Sequence, residues 1–314
     1  MGAGFLFPGQ GAQQVGMMAD LARVSPAAEA LFAAADRQLG FELSRIIFEG
    51  PDRRLNATDV SQPAIFVCSA AALAAMEAVL GSAAPRPVMA AGLSLGEYTA
   101  LYAAGALDFG AALDLVAKRG RYMQEAAEAA PGGMVSILGL DEPQVRALCD
   151  AAADGEVLAP ANFNCPGQIV LSGSAGACDR AERMAKDFGA RGAVRLKVAG
   201  AFHSPLMAPA AERLARVLEE VEFRPPRWPV IANVDARPHG SAETIKQKLL
   251  AQLTRPVRWA ESVKYMLDNA VESFYEIGPA KVLTGLLRRI DRRARCTSIN
   301  SADALAKLAG GAGP

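Results

Sequence analysis

Hydrophobic positions along the chain fall into two regimes. Short apolar runs bounded by Gly or Pro occur at Gly4-Phe5-Leu6-Phe7, Pro87 to Gly92, Val230-Ile231-Ala232 and Ser273 to Ile277. Such runs predict strands buried on both faces. Between them lie longer alanine-rich stretches with apolar residues at helical spacing, over 15–82, 97–130, 209–221, 242–253 and 260–270. One helix is expected to begin near Ser61-Gln62-Pro63, with Ser61 suited to the N-cap. Strands alternating with helices predict a parallel sheet with helices on both faces.

The pattern changes at Pro131-Gly132-Gly133. Met134 to Gly139 reads as a strand, 141–153 as a helix with Asp141 near its N-cap, and Gln168 to Ser172 as a strand entered by the turn Pro166-Gly167. A helix over 175–188 and a strand over 193–198 follow. These three strands and two helices are read as the ferredoxin-like β-α-β-β-α-β signature, compact enough to be an insertion. The expected organisation is therefore a discontinuous α/β core (1–130 and 201–306), a ferredoxin-like subdomain (131–200) and a disordered tail (307–314).

Composition narrows the function classes. The chain has 314 residues, 51% of them apolar and 21% charged, which excludes overall disorder. Lys plus Arg and Asp plus Glu are 33 each, so there is no basic surplus for nucleic acid. No run of 18 uninterrupted apolar residues occurs, and the first residues lack a basic leader region, so neither a membrane span nor a signal peptide is expected. The five cysteines are scattered and never form CxxC, which favours reduced thiols in the cytoplasm and argues against a metal site. Only two histidines are present, His203 and His239.

Gly92-Leu93-Ser94-Leu95-Gly96 is a G-x-S-x-G sequence between an expected strand and an expected helix, the context of a nucleophile elbow. Ser94 would stand above the sheet edge, with the Leu95 N–H and the helix dipole facing a developing oxyanion. Its base would be a histidine. His203, in Gly200-Ala201-Phe202-His203-Ser204, fits either a cap for the following helix or that base. His239, in Arg237-Pro238-His239-Gly240, reads as a solvated surface residue. No neighbouring acid announces a third member, so a Ser-His dyad oriented by an amide or carbonyl is as consistent as a triad. The loop Pro8-Gly9-Gln10-Gly11-Ala12 follows a strand, where α/β folds bind ligands, and its N–H groups suit an oxyanion hole. Arg119 fits either a solvated helix face or a carboxylate clamp. Arg288, Arg289, Arg292 and Arg293 form a basic helix end, solvated or open to an acidic partner.

Taken in order, several segments resemble the malonyl-CoA:acyl-carrier-protein transacylases of fatty-acid and polyketide synthesis. They are Phe7-Pro8-Gly9-Gln10-Gly11-Ala12-Gln13, Ser61-Gln62-Pro63-Ala64, Gly92-Leu93-Ser94-Leu95-Gly96-Glu97-Tyr98, Arg119-Gly120 with Met123-Gln124, Asn164-Cys165-Pro166-Gly167-Gln168, Gly200-Ala201-Phe202-His203-Ser204, Pro256-Val257-Arg258-Trp259 and Glu276-Ile277-Gly278-Pro279. The resemblance spans nearly the whole chain. It implies an α/β-hydrolase-like core with an inserted ferredoxin-like subdomain. It also implies Ser94 as the acylated nucleophile, His203 as general base and acid, and Gln252 as the residue whose carbonyl orients the histidine. Gln10 and Leu95 correspond to the oxyanion hole, and Arg119, Phe202, Met123 and Gln62 to the substrate-binding positions. Phe202 matches the malonyl-selective form, where Ser goes with methylmalonyl. Leu93 stands where His is frequent, Cys165 where Ser is usual and Ala280 where Gly is usual.

The expected activity is ping-pong transfer of malonyl from malonyl-CoA to the phosphopantetheine thiol of an acyl carrier protein. Coenzyme A serves as substrate carrier, with no metal or other cofactor, in a cytoplasmic monomer that binds neither nucleic acid nor membrane. The carrier protein would dock on the Arg288–Arg293 cluster. A trans-acting polyketide acyltransferase would share every catalytic residue. A serine esterase or thioesterase would share Ser94 and His203 but has no use for Arg119. A non-catalytic scaffold for a carrier protein would need only the basic face.

Overall fold

A computed structural model describes residues 2–311. Among them the strands are β1 (Gly2–Phe7), β2 (Pro87–Gly92), β3 (Gly132–Leu138), β4 (Leu158–Cys165), β5 (Gln168–Ser174), β6 (Gly192–Arg195), β7 (Val230–Ile231), β8 (Val271–Ile277) and β9 (Arg295–Ile299). They form two sheets. The larger has the order β7-β2-β1-β8-β9, and every neighbouring pair in it is parallel. β1 is central, which is why Phe5, Leu6 and Phe7 are all apolar and at most 2% exposed. β9 lies at the edge and is mostly half-buried, so its polar sequence gives no strand signal.

The second sheet is antiparallel, in the order β4-β5-β3-β6. This is the ferredoxin-like arrangement, and it carries a core of its own built from Val135, Ile137, Val145, Leu148, Leu171 and Cys178. The helix Glu142–Ala153 starts with a capping box, in which Asp141 accepts from the Gln144 N–H and Gln144 accepts from the Asp141 N–H. β6 stops at Arg195, so residues 196–198 continue as irregular chain. The subdomain joins the core where β4 meets the loop at Val257: the Phe163 N–H donates to the Val257 carbonyl and the Val257 N–H donates to the Ala161 carbonyl.

Two further expectations need correction. The helix placed near Ser61 begins three residues earlier and runs Thr58–Leu80. Its N-cap is Ala57, and the Thr58 N–H is taken by the Gln124 side chain from a neighbouring helix, at 3.0 Å. The cap is thus a tertiary contact, invisible to a local pattern, and Ser61 is fully buried inside the helix. This helix is long and apolar enough by composition to cross a membrane. Here it packs in the core against Pro26–Leu39 and Phe109–Ala129. The second correction is at the C-terminus, where Ala302–Ala309 is a helix with Ser301 capping the Ala304 N–H. Residues 307–309 are therefore helical; Leu305 anchors the helix in the core, which outweighs the Gly-rich composition that follows. Residues 312–314 of the expected tail lie outside the described residues.

Candidate active site

β2 ends at Gly92 and the helix Leu95–Ala103 begins three residues later, so Ser94 occupies a sharp turn at φ 53°, ψ −103°. A side chain at Gly92 would put its Cβ 1.9 Å from the Gly96 carbonyl carbon, and one at Gly96 would lie 2.1 Å from the Phe7 oxygen. Only glycine fits either position. Asn233 braces the turn, its Oδ1 accepting from the Ser94 N–H (2.7 Å) and its Nδ2 donating to the Gly92 carbonyl (2.8 Å). Leu95 is the first helical residue, where the helix itself supplies no acceptor for the N–H.

Ser94 Oγ lies 2.8 Å from His203 Nε2, and His203 Nδ1 lies 2.7 Å from the carbonyl oxygen of Gln252. A carbonyl only accepts, so Nδ1 carries the proton and Nε2 is the free acceptor facing the serine. His203 is 4% exposed. Burial, then the nearby Arg119 charge, lower its pKa to about 4, with the Gln252 carbonyl opposing. The imidazole is therefore neutral at pH 7.

Arg119, on the helix Phe109–Ala129, is 1% exposed. Its Nη1 donates to Gln62 Oε1 (2.6 Å), and its Nη2 to Ser94 Oγ (3.0 Å) and Gln252 Oε1 (2.9 Å). The guanidinium carbon stands 5.1 Å from the Tyr98 ring centre. Burial lowers its pKa, though an arginine keeps its charge. Gln62 is held from the other side, its Nε2 3.3 Å from Met123 Sδ.

A cleft of about 350 Å³ opens over Ser94. Gln10, Ser94, His203, Met123 and Phe202 line it from the core, and Asn162, Asn164, Gln168, Leu196, Lys197 and Val198 from the subdomain. Arg119 and Gln62 lie beneath its floor, so the guanidinium reaches the cleft through its bond to Ser94 Oγ. Leu93 lines the same cleft and packs on the cluster around Trp259 and Val263. Val282 and Leu286 complete the mouth, and their helix, Val282–Ile290, carries Arg288 and Arg289 in its last turn. Arg289 Nη1 bonds Gln168 Oε1 at 2.9 Å, while Arg293 pairs with Asp291. Cys165 is buried, with Sγ 3.5 Å from the same Gln168 oxygen.

His239 is not a surface residue. It is 7% exposed, and its Nε2 lies 2.8 Å from Glu97 Oε1. The Pro-Gly turn that suggested solvent is tied down by the His239 N–H donating to Val230, which turns the imidazole inward. Glu97 is itself fully buried; the sequence showed it only as part of the segment around Ser94, with no role, and Asn233 not at all. An acid in the first turn of a helix reads as a dipole complement. Its position three residues after the nucleophile, on the same turn, was the available signal.

A strained serine on an elbow, a neutral histidine held by a carbonyl and a buried arginine at the serine oxygen define an acyl-transfer site. In agreement, a family model described as acyl transferase domain matches residues 4–307, and the chain belongs to that family. It is 43% identical to the malonyl CoA-acyl carrier protein transacylase of Escherichia coli K12, covering 96% of this chain and 97% of that one. The same name and identity hold for a Bacillus subtilis protein, with 96% and 94% covered. The solved transacylase of Coxiella burnetii superposes with a TM-score of 0.94 at 41% identity, covering 99% and 97%. A malonyl-transacylase solved with its holo type II polyketide-synthase acyl-carrier protein gives 0.94 at 40%, covering 99% and 100%. Within the acyl transferases, the chain belongs to the malonyl CoA-acyl carrier protein transacylases.

Proposed function

We propose that this chain moves malonyl from malonyl-CoA to the phosphopantetheine thiol of an acyl carrier protein through a malonyl-Ser94 ester, supplying fatty-acid synthesis. The observation that carries the reading is a permanent buried cation, Arg119, bonded to the oxygen that attacks. An esterase has no use for it; a substrate with a terminal carboxylate does. The carboxylate takes over the guanidinium donor now held by Ser94 Oγ, freeing the hydroxyl for His203.

His203 Nε2 accepts the Ser94 proton as Oγ attacks the thioester carbonyl. Negative charge on the carbonyl oxygen is met by N–H groups of Leu95 and Gln10. The imidazolium then returns its proton to the departing CoA sulfur. In the second half-reaction His203 takes the carrier thiol's proton, the thiol attacks the ester, and Ser94 leaves with that proton. No other cofactor enters these steps. Phe202 and Met123 supply an apolar wall beside the acyl chain. Arg288, Arg289, Arg292 and Arg293 receive the acidic carrier protein. The free thiols of all five cysteines support a cytoplasmic setting, and the enzyme acts as a monomer.

The polyketide reading, favoured by the likeness to a transacylase that serves such a carrier, changes only the partner. Intact-protein mass tests the common step. One malonyl group gained from malonyl-CoA, none from acetyl-CoA over the same brief exposure and none on Ser94→Ala is the expected result. Steady CoA release without an adduct would put a hydrolase in its place. Rates with fatty-acid and polyketide carrier proteins then separate the two settings.

A further inference from the structure

Gln252 is the junction of the site. Its backbone carbonyl holds His203, and its side-chain oxygen accepts from Arg119. Its Nε2 faces three acceptors, the Ser94 carbonyl (3.0 Å), Glu97 Oε2 (2.8 Å) and Asn233 Oδ1 (3.3 Å). An amide can be turned either way round, and the wrong way would present N–H groups to a guanidinium that can only donate. The Ser94 carbonyl and the Glu97 carboxylate only accept, and the charged Glu97 oxygen is the nearer of the two, so Glu97 is the main group that fixes which end of the amide faces it. Glu97 in turn is held by three donors: Gln252 Nε2, the Asn233 N–H (2.9 Å) and His239 Nε2 (2.8 Å). All four side chains are less than a tenth exposed, so water cannot replace a lost partner.

We infer that Glu97 and His239 are a positioning pair, which sets the orientation of the Gln252 amide and through it aims Arg119 at the substrate carboxylate. Neither residue touches the cleft. The inference rests on Arg119 being the carboxylate site. It also separates the two functions of Gln252: the backbone carbonyl toward His203 is fixed by the chain, while the side chain toward Arg119 depends on Glu97.

The test compares kcat/KM for malonyl-CoA and acetyl-CoA in the full-length protein. His239→Leu is expected to lower the malonyl-to-acetyl ratio by about tenfold, a coupling typical of one hydrogen-bonded network. His239→Gln, which restores a donor, should return the ratio to within about twofold of wild type. Labelling of Ser94 by a neutral fluorophosphonate, which needs no carboxylate clamp, should proceed at the wild-type rate in both. In an Arg119→Met background, His239→Leu should change the ratio no further. If His239→Leu does not fold, Glu97→Gln replaces it, because a neutral amide of the same shape no longer dictates the Gln252 orientation. An unchanged ratio in the folded variant, or a labelling rate that falls in step with malonyl transfer, would overturn the inference. If Arg119→Met itself leaves the ratio intact, the proposed function fails instead.

Discussion

The cleft has two unlike sides. Beneath and behind Ser94 lies a closed polar network of Arg119, Gln62, Gln252, Glu97, Asn233, His239 and His203, every member less than a tenth exposed. At the mouth the walls are Val282, Leu286, Val198 and Leu196 with the amides of Asn164 and Gln168, and the charges beyond them are solvated arginines. Errors of a fraction of an ångström behind the serine move the reacting atoms. At the mouth they change only how a substrate arrives. The back should therefore be the more sensitive side, most of all at the residues that touch Ser94, and the front should show smaller, graded effects.

The largest effect should come from the dyad. His203→Ala or Ser94→Ala is expected to lower kcat for malonyl transfer by roughly four to six orders of magnitude. Stopped assays with carrier protein read this directly. A loss under a hundredfold would mean that another group deprotonates the serine.

Arg119→Met comes next. It removes the clamp and should cost about two to three orders of magnitude in kcat/KM for malonyl-CoA while sparing acetyl-CoA. Equal losses for the two would assign Arg119 to the elbow's architecture. The pH profile sharpens the same point. His203 has its pKa lowered to about 4, so the acid limb of kcat/KM should fall near pH 4 and not near 6.5. Because Arg119 contributes to that lowering, the limb measured with acetyl-CoA should move upward in Arg119→Met. The same shift bears on folding. A histidine with a depressed pKa gives stability that is complete above about pH 6.5 and is lost as pH falls toward 4, by up to a few kcal/mol. Urea midpoints across that window check it.

These two sides were unequally legible in the sequence. The front-facing chemistry sits on local signals: G-x-S-x-G at an elbow, a Gly-rich loop after β1, a histidine in a loop. The α/β alternation and the insert were equally local, since buried strands and amphipathic helices leave their period in the chain. The back of the site is assembled from residues up to 155 positions apart, as in the Gln252–Glu97 contact, and the His239–Glu97 contact spans 142. No spacing rule joins a Pro-Gly turn to the first turn of a helix that far away, so His239 read as solvated and Glu97 stood only as a neighbour of the nucleophile in its motif. The cap of Thr58–Leu80 was missed for the same reason, being borrowed from Gln124, and β9 was missed because a polar edge strand carries no buried run.

At the front, Arg288→Glu with Arg289→Glu should raise KM for the carrier protein about tenfold at low salt and leave kcat unchanged. The difference should shrink as salt rises. A change in KM for malonyl-CoA of the same size would mean that these arginines hold the CoA phosphates.

The smallest effect belongs to Ala280, in the turn between β8 and the mouth helix. Its φ is 64°, in the left-handed region where a Cβ is unfavourable by about 1 kcal/mol. Its carbonyl accepts from Asn300 Nδ2 at 3.1 Å, which holds the turn in that conformation. Ala280→Gly relieves the clash but gives the unfolded chain more freedom, so the net gain should lie below about 1 kcal/mol. That corresponds to a rise of no more than a few degrees in the melting temperature. Because the turn belongs to the mouth and not to the network behind Ser94, kcat for malonyl transfer should be unchanged. A melting temperature that rises while kcat falls would show that the strained turn positions Val282 and Leu286 for the substrate, and would extend the sensitivity of the back of the site to its front.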